Sequence, residues 1–456
     1  MQKLKKSKKP VYANGFLIFE ALIAMAILII IIPTAVSLGL SSQALQVMAE
    51  KELASTASAV DIISNGAVEQ AASSRVRYSH EFGRSTCTVG SVFSSDVSSP
   101  DDFSKIKLYS GGIDIGVNAS GTALTARNGF IYETVNSPTQ SAADFFIIDA
   151  HDPSTPKLVS SLNTGPGLAS IAVAGHYAYV ANESSLSQLQ VIDIEDRTHP
   201  VVVASLKLPL PQASTTAPHA ASIFYNDGLI FLGTVKWSGD EFNSIDVTNP
   251  RSPMYLDGFN TDTLVNSVYV ADSTAPSYAY VADADTDQMR VLDISDPVHV
   301  ALVSDFSPIG SVVLEGKTFG IEDDSTEDSS TMLYFGRAGG GFDNPAYIKL
   351  FTFDLSRDPL VANPIHSIDI PGGVYGIVVS SGYVFLAVGA SDVNNGGGGN
   401  SECGSSDGCI EIWKSDLSSM IYSLTLPALP VSLSCDHDRL YVGVASRQAF
   451  AVITFD

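Results

Sequence analysis

From about residue 104 onward the chain repeats one unit. One copy reads Ser170-Ile171-Ala172-Val173-Ala174-Gly175-His176-Tyr177-Ala178-Tyr179-Val180-Ala181 and then a polar loop. It continues with Leu189-Gln190-Val191-Ile192-Asp193-Ile194, a turn ending His199-Pro200, and Val201-Val202-Val203-Ala204-Ser205-Leu206. These are four short β-rich runs bounded by turn residues. The order recurs around Ile148-Asp149, Ile245-Asp246, Leu292-Asp293, Phe353-Asp354, Trp413 and Phe455-Asp456, with anchors about 43 to 61 residues apart. Such a period suits four-stranded propeller blades with insertions. The runs are apolar on both faces, as sheets stacked between neighbours require. The Asp-x-x-Pro turn has its own mechanism. Asp or Asn bonds the turn backbone, and proline then opens an outer strand, where a missing N–H is tolerated.

Six units are complete and the seventh is short, with only Val431–Ser434, Leu440–Ala445 and Phe450–Phe455 as strands. A seven-bladed propeller over 104–456 follows, its last blade closed by residues 105–115, which leaves no large open edge. The closing strand is an outer one, so the chain must arrive on the face of the Asp-x-x-Pro turns. The loops Asn136–Asp144, Asn182–Gln188, Lys236–Glu241, Asp323–Asn344 and Ser391–Cys409, with the link Pro209–His219, are expected on the opposite face. Binding usually sits on variable loops held by a rigid scaffold.

The N-terminus is of another kind. Lys3, Lys5, Lys6, Lys8 and Lys9 precede Gly15, and an apolar run from Phe16 to Leu40 holds one carboxylate, Glu20. The run is long enough to span a bilayer, and the lysines place residues 1–15 on the cytoplasmic side. A charge in hydrocarbon costs roughly 2.5–3.5 kcal/mol or more unless it is paired. Helical spacing continues through Ala44, Leu45, Val47, Met48, Leu53, Val60, Ile62 and Ile63. It predicts a rod of roughly fifty residues, ~75 Å long, within 16–75, transmembrane in its first half. Residues 76–103 read as a linker.

This stretch resembles the class III signal of type IV prepilins and type II secretion pseudopilins. The resemblance implies a prepilin peptidase that cuts after Gly15 and methylates Phe16. It also implies that Glu20 pairs with the Phe16 amine of a neighbouring pilin-like subunit in a filament. Leu17 stands where the family carries threonine. The repeats resemble LVIVD-type repeats of cell-surface proteins, well in units two and four and loosely in five and six.

The chain of 456 residues carries 25 basic and 49 acidic residues, net −24, and about −29 without the leader lysines. Phosphate needs a basic footprint, so nucleic acid is excluded as a partner. Cys403 and Cys409 bracket five residues in a Gly/Ser-rich loop, and outside the cytoplasm they are expected to form a disulfide. The pairing of the distant Cys87 and Cys435 is left open. No second Cys pair or His set supports zinc. Asp283-Ala284-Asp285-Thr286-Asp287 starts like a calcium loop but lacks glycine at the sixth position and glutamate at the twelfth, so a hairpin turn is expected. Glu322, Asp323, Asp324, Glu327 and Asp328 read as a solvated acidic loop. Gly336-Arg337-Ala338-Gly339-Gly340-Gly341 lacks the Gly-Lys-Ser/Thr of a phosphate loop. No Gly-x-Ser-x-Gly elbow occurs.

These readings converge on a non-enzymatic subunit with no cofactor and no metal. It would sit in the cytoplasmic membrane before assembly and in an extracellular pilus afterwards. A domain of about 350 residues is too bulky to repeat along a tightly packed filament, so a minor, tip-located pilin-like role fits. The propeller would serve adhesion or recognition, its ligand a glycan, a protein or a surface. A pseudopilin of a secretion or DNA-uptake machine, a surface-anchored propeller enzyme and a membrane-tethered scaffold stand as alternatives.

Overall fold

The computed structural model describes residues 87–89, 106–116, 120–136, 141–211, 217–270, 277–284, 289–307, 315–322, 332–338, 350–370, 372–380, 382–389 and 408–455. They form a seven-bladed β-propeller, each blade an antiparallel four-stranded sheet. Blades 1 to 6 span 120–162, 168–206, 220–259, 265–306, 315–368 and 374–425. Blade 7 takes three strands from 430–455 and its outer strand, Ile106–Tyr109, from before blade 1. That outer strand pairs with Phe450–Phe455, Ile106 opposite Phe455. Each inner strand touches the next, and the ring closes from Pro430–Asp436 to Ser120–Arg127.

Local chemistry explains the blade. The first hairpin turns at Asn128-Gly129 and Asp227-Gly228 hold both residues at positive φ, the conformation a two-residue turn needs to match strand twist. Where the third strand ends, an aspartate accepts the N–H two residues on: Asp149 from His151, Asp193 from Glu195, Asp246 from Thr248, Asp293 from Ser295. A second such turn follows at once, on Asp152, Asp196, Asn249 and Asp296. These side chains satisfy a backbone that bends too sharply for ladder bonds.

The third residue of every second strand is aromatic and buried: Tyr132, Tyr179, Phe231, Tyr280, Tyr334, Phe385 and Tyr441. Several hydroxyls tie one blade to the next. Tyr280 donates to the Pro359 carbonyl at 2.9 Å and Tyr334 to that of Ser415 at 2.8 Å. Tyr132 accepts from Arg197 Nε at 2.9 Å. Each partner sits in the third-to-fourth-strand turn of the following blade. Outer strands carry one unpaired residue in blades 1, 2, 3, 4 and 6: Val159, Val203, Leu256, Val303 and Ile421. A bulge bends an exposed edge away from further pairing.

Within the segment read as a linker, residues 87–89 are docked on the propeller. Cys87 forms a disulfide with Cys435 on the inner strand of blade 7. Thr88 N donates to the His437 carbonyl at 2.7 Å, and Ser380 Oγ donates to the Cys87 carbonyl at 3.1 Å. Val89 is fully buried, in one cluster with Phe385, Cys435 and Leu440. Among the described residues no helix is long and apolar enough to cross a membrane. The expected pilin-type helix lies outside them.

Candidate functional site

Strand direction gives the propeller two unlike faces. The turns within each blade between strands one and two, and three and four, share one face. The second-to-third loops and the inter-blade links share the other. Cys435, His437 and the start of Ile106–Tyr109 all lie at the turn face. The chain therefore enters on that side, and the loop face is free of this attachment.

One predicted loop needs correction. Residues 323–344 are not one loop, because Met332–Ala338 is a strand. That strand follows Glu315–Glu322 in blade 5, so residues 323–331 connect its first and second strands and lie outside the described residues. Of the acidic cluster, Glu322 ends a strand and the rest lie outside the described residues. Gly336, Arg337 and Ala338 lie in the same strand rather than in a glycine loop. Arg337 is 2 % exposed, its guanidinium 5.6 Å from the centroid of the Phe351 ring, and burial lowers its pKa to about 10. Asp283 is fully buried and takes Arg290 Nε at 2.6 Å, while Arg290 also donates to the Thr261 carbonyl at 3.0 Å. That carboxylate is committed to an arginine. Cys409 is disulfide-bonded; its expected partner Cys403 lies outside the described residues, as do Gly15, Phe16 and Glu20. Among the described residues no cluster of His, Cys, Asp or Glu has metal-site geometry.

The loop face is built on polar groups that sequence reasoning passed over. The residue just before the third strand pins the link to the next blade. Asp144 accepts Thr164 N at 2.7 Å and Thr164 Oγ1 at 2.9 Å. Gln188 accepts Leu208 N at 2.9 Å and donates to the Pro218 carbonyl at 3.0 Å. Glu241 accepts Thr261 N at 2.9 Å, Asp262 N at 3.0 Å and Trp237 N at 3.1 Å. Burial raises Asp144 to about 6 against these bonds, and it raises Glu241 also. The available signal was a lone polar residue directly before Phe145-Phe146-Ile147-Ile148-Asp149 and its counterparts.

A second recurring feature rings the central opening. Every inner strand has a bulge near its loop-face end, leaving one residue unpaired: Thr122, Ala169, Ala221, Asn266, Lys317, Tyr375 and Val431. Blades 2, 3 and 7 place aliphatic side chains there. Thr122 gives its hydroxyl to the Leu168 carbonyl at 2.6 Å. Blades 4, 5 and 6 place Asn266, Lys317 and Tyr375 in succession. Asn266 Nδ2 donates to the Gly316 carbonyl at 2.9 Å, and Lys317 Nζ donates to Asn266 Oδ1 at 3.1 Å. The ammonium stands 6.0 Å from the centroid of the Tyr375 ring. Desolvation lowers the Lys317 pKa, opposed by the charge of Glu315, and burial raises that of Tyr375. Tyr375 packs on two glycines: a Cβ at Gly389 would fall 2.6 Å from its ring and one at Gly373 3.1 Å. This asymmetric arc of amide, amine and phenol is the candidate recognition site.

The LVIVD repeat model matches residues 140–164, 168–207 and 276–307. The chain carries LVIVD repeats. They fall on the outer half of blade 1, on all of blade 2, and on blade 4 beyond its inner strand. No curated protein matches the LVIVD propeller in sequence. Solved structures share its shape. The periplasmic gluconolactonase of Pseudomonas aeruginosa aligns at TM-score 0.51 and 13% identity, over 68% of this chain and 86% of that one. The WD40 repeats of RRP9 align at 0.50 and 12%, over 78% and 98%. Hydrazine synthase of Kuenenia stuttgartiensis aligns at 0.50 and 14%, over 76% and 99%. At such identities the likeness carries the fold alone, and function has to be argued from the site.

Proposed function

We propose that this chain is a minor pilin-like subunit, carried at the tip of a type IV filament, whose LVIVD propeller serves adhesion or surface recognition without catalysis. The observation that carries the reading is the attachment at Cys87 and at Ile106–Tyr109, both on the turn face. A propeller held from that side leaves its loop face to a ligand, and that face bears the arc of Asn266, Lys317 and Tyr375. The N-terminal pattern of lysines, Gly15, Phe16 and Glu20 supports filament assembly. In this account the prepilin peptidase cuts between Gly15 and Phe16, Glu20 docks on the Phe16 amine of a neighbouring pilin-like subunit, and the protein waits in the cytoplasmic membrane until assembled. An extracellular glycan, protein or surface is the partner of the loop face.

The test is Glu20→Ala in the native host. The expected result is an unchanged amount in the membrane and loss from sheared filaments. Equal recovery of wild type and variant from the filament fraction would overturn the reading.

A further inference from the structure

We propose that the opening of the propeller on its loop face binds a carboxylate group of its ligand through the ammonium of Lys317, with Asn266 and Tyr375 fixing that ammonium in place. The proposal rests on the loop face being the recognition face. It starts from an imbalance: the chain has 49 acidic against 25 basic residues, yet among the described residues no carboxylate lies within ion-pair distance of Lys317. Arg290, a mostly buried cation of the same face, has its aspartate at 2.6 Å. Lys317 is half-buried, and Glu315 acts on its charge only from beyond ion-pair distance, so one hydrogen bond to an amide leaves the ammonium open to a carboxylate in direct contact. Asn266 takes one of the three ammonium donors, and among the described residues the other two have no protein acceptor, which is the valence a carboxylate uses.

The neighbourhood suits a small anion rather than a polyanion. Glu315 stands beside the site, its Oε2 3.5 Å from Asn266 Nδ2, and it would repel an extended charged chain. Asn266 is held at both ends, by Gly316 and Lys317, so the amine is positioned rather than free to sweep the opening. Thr122, the remaining polar member of the ring, spends its hydroxyl on Leu168. Recognition thus concentrates on blades 4 to 6. Two sources could present one carboxylate there, an acidic sugar or the C-terminus of a peptide.

The experiment uses the purified full-length chain with four probes: glucuronate, glucose, a short peptide with a free C-terminus and the same peptide amidated. Acylation of lysines is followed by mass spectrometry, and binding by calorimetry. The expected result is that glucuronate or the free peptide protects Lys317 while its neutral counterpart does not. Lys317→Gln should weaken that binding about tenfold or more, and Lys317→Arg should retain most of it. Protection by glucuronate alone assigns the sugar, by the free peptide alone the C-terminus. Equal protection by charged and neutral probes, or by none, overturns the proposal, and the labelling result on the wild-type chain does not depend on how the variants fold. Filament recovery of Glu20→Ala reads separately, so a chain that assembles but ignores carboxylates sinks this inference alone.

Discussion

Glu133 is a carboxylate buried in the second strand of blade 1. It lies fully buried at the seam of blades 1 and 7, and both carboxylate oxygens lack a hydrogen-bond partner. A Cβ at Gly121 would sit 2.6 Å from its Oε1, 3.0 Å from the Val444 carbonyl and 3.1 Å from that of Ala449. Desolvation pushes its pKa well above the usual carboxylate range. Asp144 is raised in the same direction, to about 6. For acids raised on folding, the stabilising contribution is whole below the unfolded pKa and is lost as pH rises through the folded one. The urea midpoint should therefore fall as pH rises from about 4 to about 6, the interval set by Asp144, and Glu133→Gln should stabilise the protein more at the upper end of that interval than at the lower. A midpoint that rises across this range would contradict the account. Tyr280→Phe should cost about 1 kcal/mol in the same titration, since it removes a hydrogen bond to the part-buried Pro359 carbonyl; no change would mean that this blade-to-blade tie is idle. At this scale the sequence showed the aromatic in Tyr179 and Tyr280 but not what its hydroxyl does. The partners lie one blade away, and no local pattern encodes them.

Among elements, turns were the most legible part. Asx turns use residues two apart, so Asp193 or Asp296 announces its own geometry. Bulges were not legible. An inner strand such as Glu315–Glu322 reads as a plain β run, and only pairing reveals that Lys317 is the extra residue. The arc of Asn266, Lys317 and Tyr375 was hidden for that reason. The loop read at 323–344 failed for a related one: glycines and acids around Met332–Ala338 masked a short strand whose partners are elsewhere. The link-pinning residues give the element-scale prediction. Glu241→Ala leaves the N–H groups of Thr261, Asp262 and Trp237 without their acceptor. The expected loss is about 2–3 kcal/mol, with faster amide exchange at Thr261 and Asp262. Unchanged exchange there would show that the link holds without its pin.

The whole molecule is a ring with two closures at one blade. Ile106–Tyr109 supplies the outer strand of blade 7, and the Cys87–Cys435 disulfide, spanning 348 residues, ties the same blade at its inner strand. Tension entering from the N-terminal side meets the disulfide before it meets the four-residue closing strand. The paired change Cys87→Ser and Cys435→Ser should cost about 3 kcal/mol and should expose Ile106–Tyr109 to amide exchange ahead of the other outer strands. Melting at the wild-type temperature with that strand still protected would rule out the second closure. Blade number and fold class were readable from repeat period and strand count, because each unit must bury both faces against a neighbour. The disulfide was not, since spacing in sequence says nothing about two cysteines that meet only once a ring has closed.

The claim on which the functional account turns is that the propeller is cargo on a processed, filament-forming subunit. Its most direct test is the intact mass and N-terminal sequence of the protein isolated from its own host. The account predicts a chain that begins at a methylated Phe16. A mature chain that still begins at Met1, with its leader in place, would contradict it.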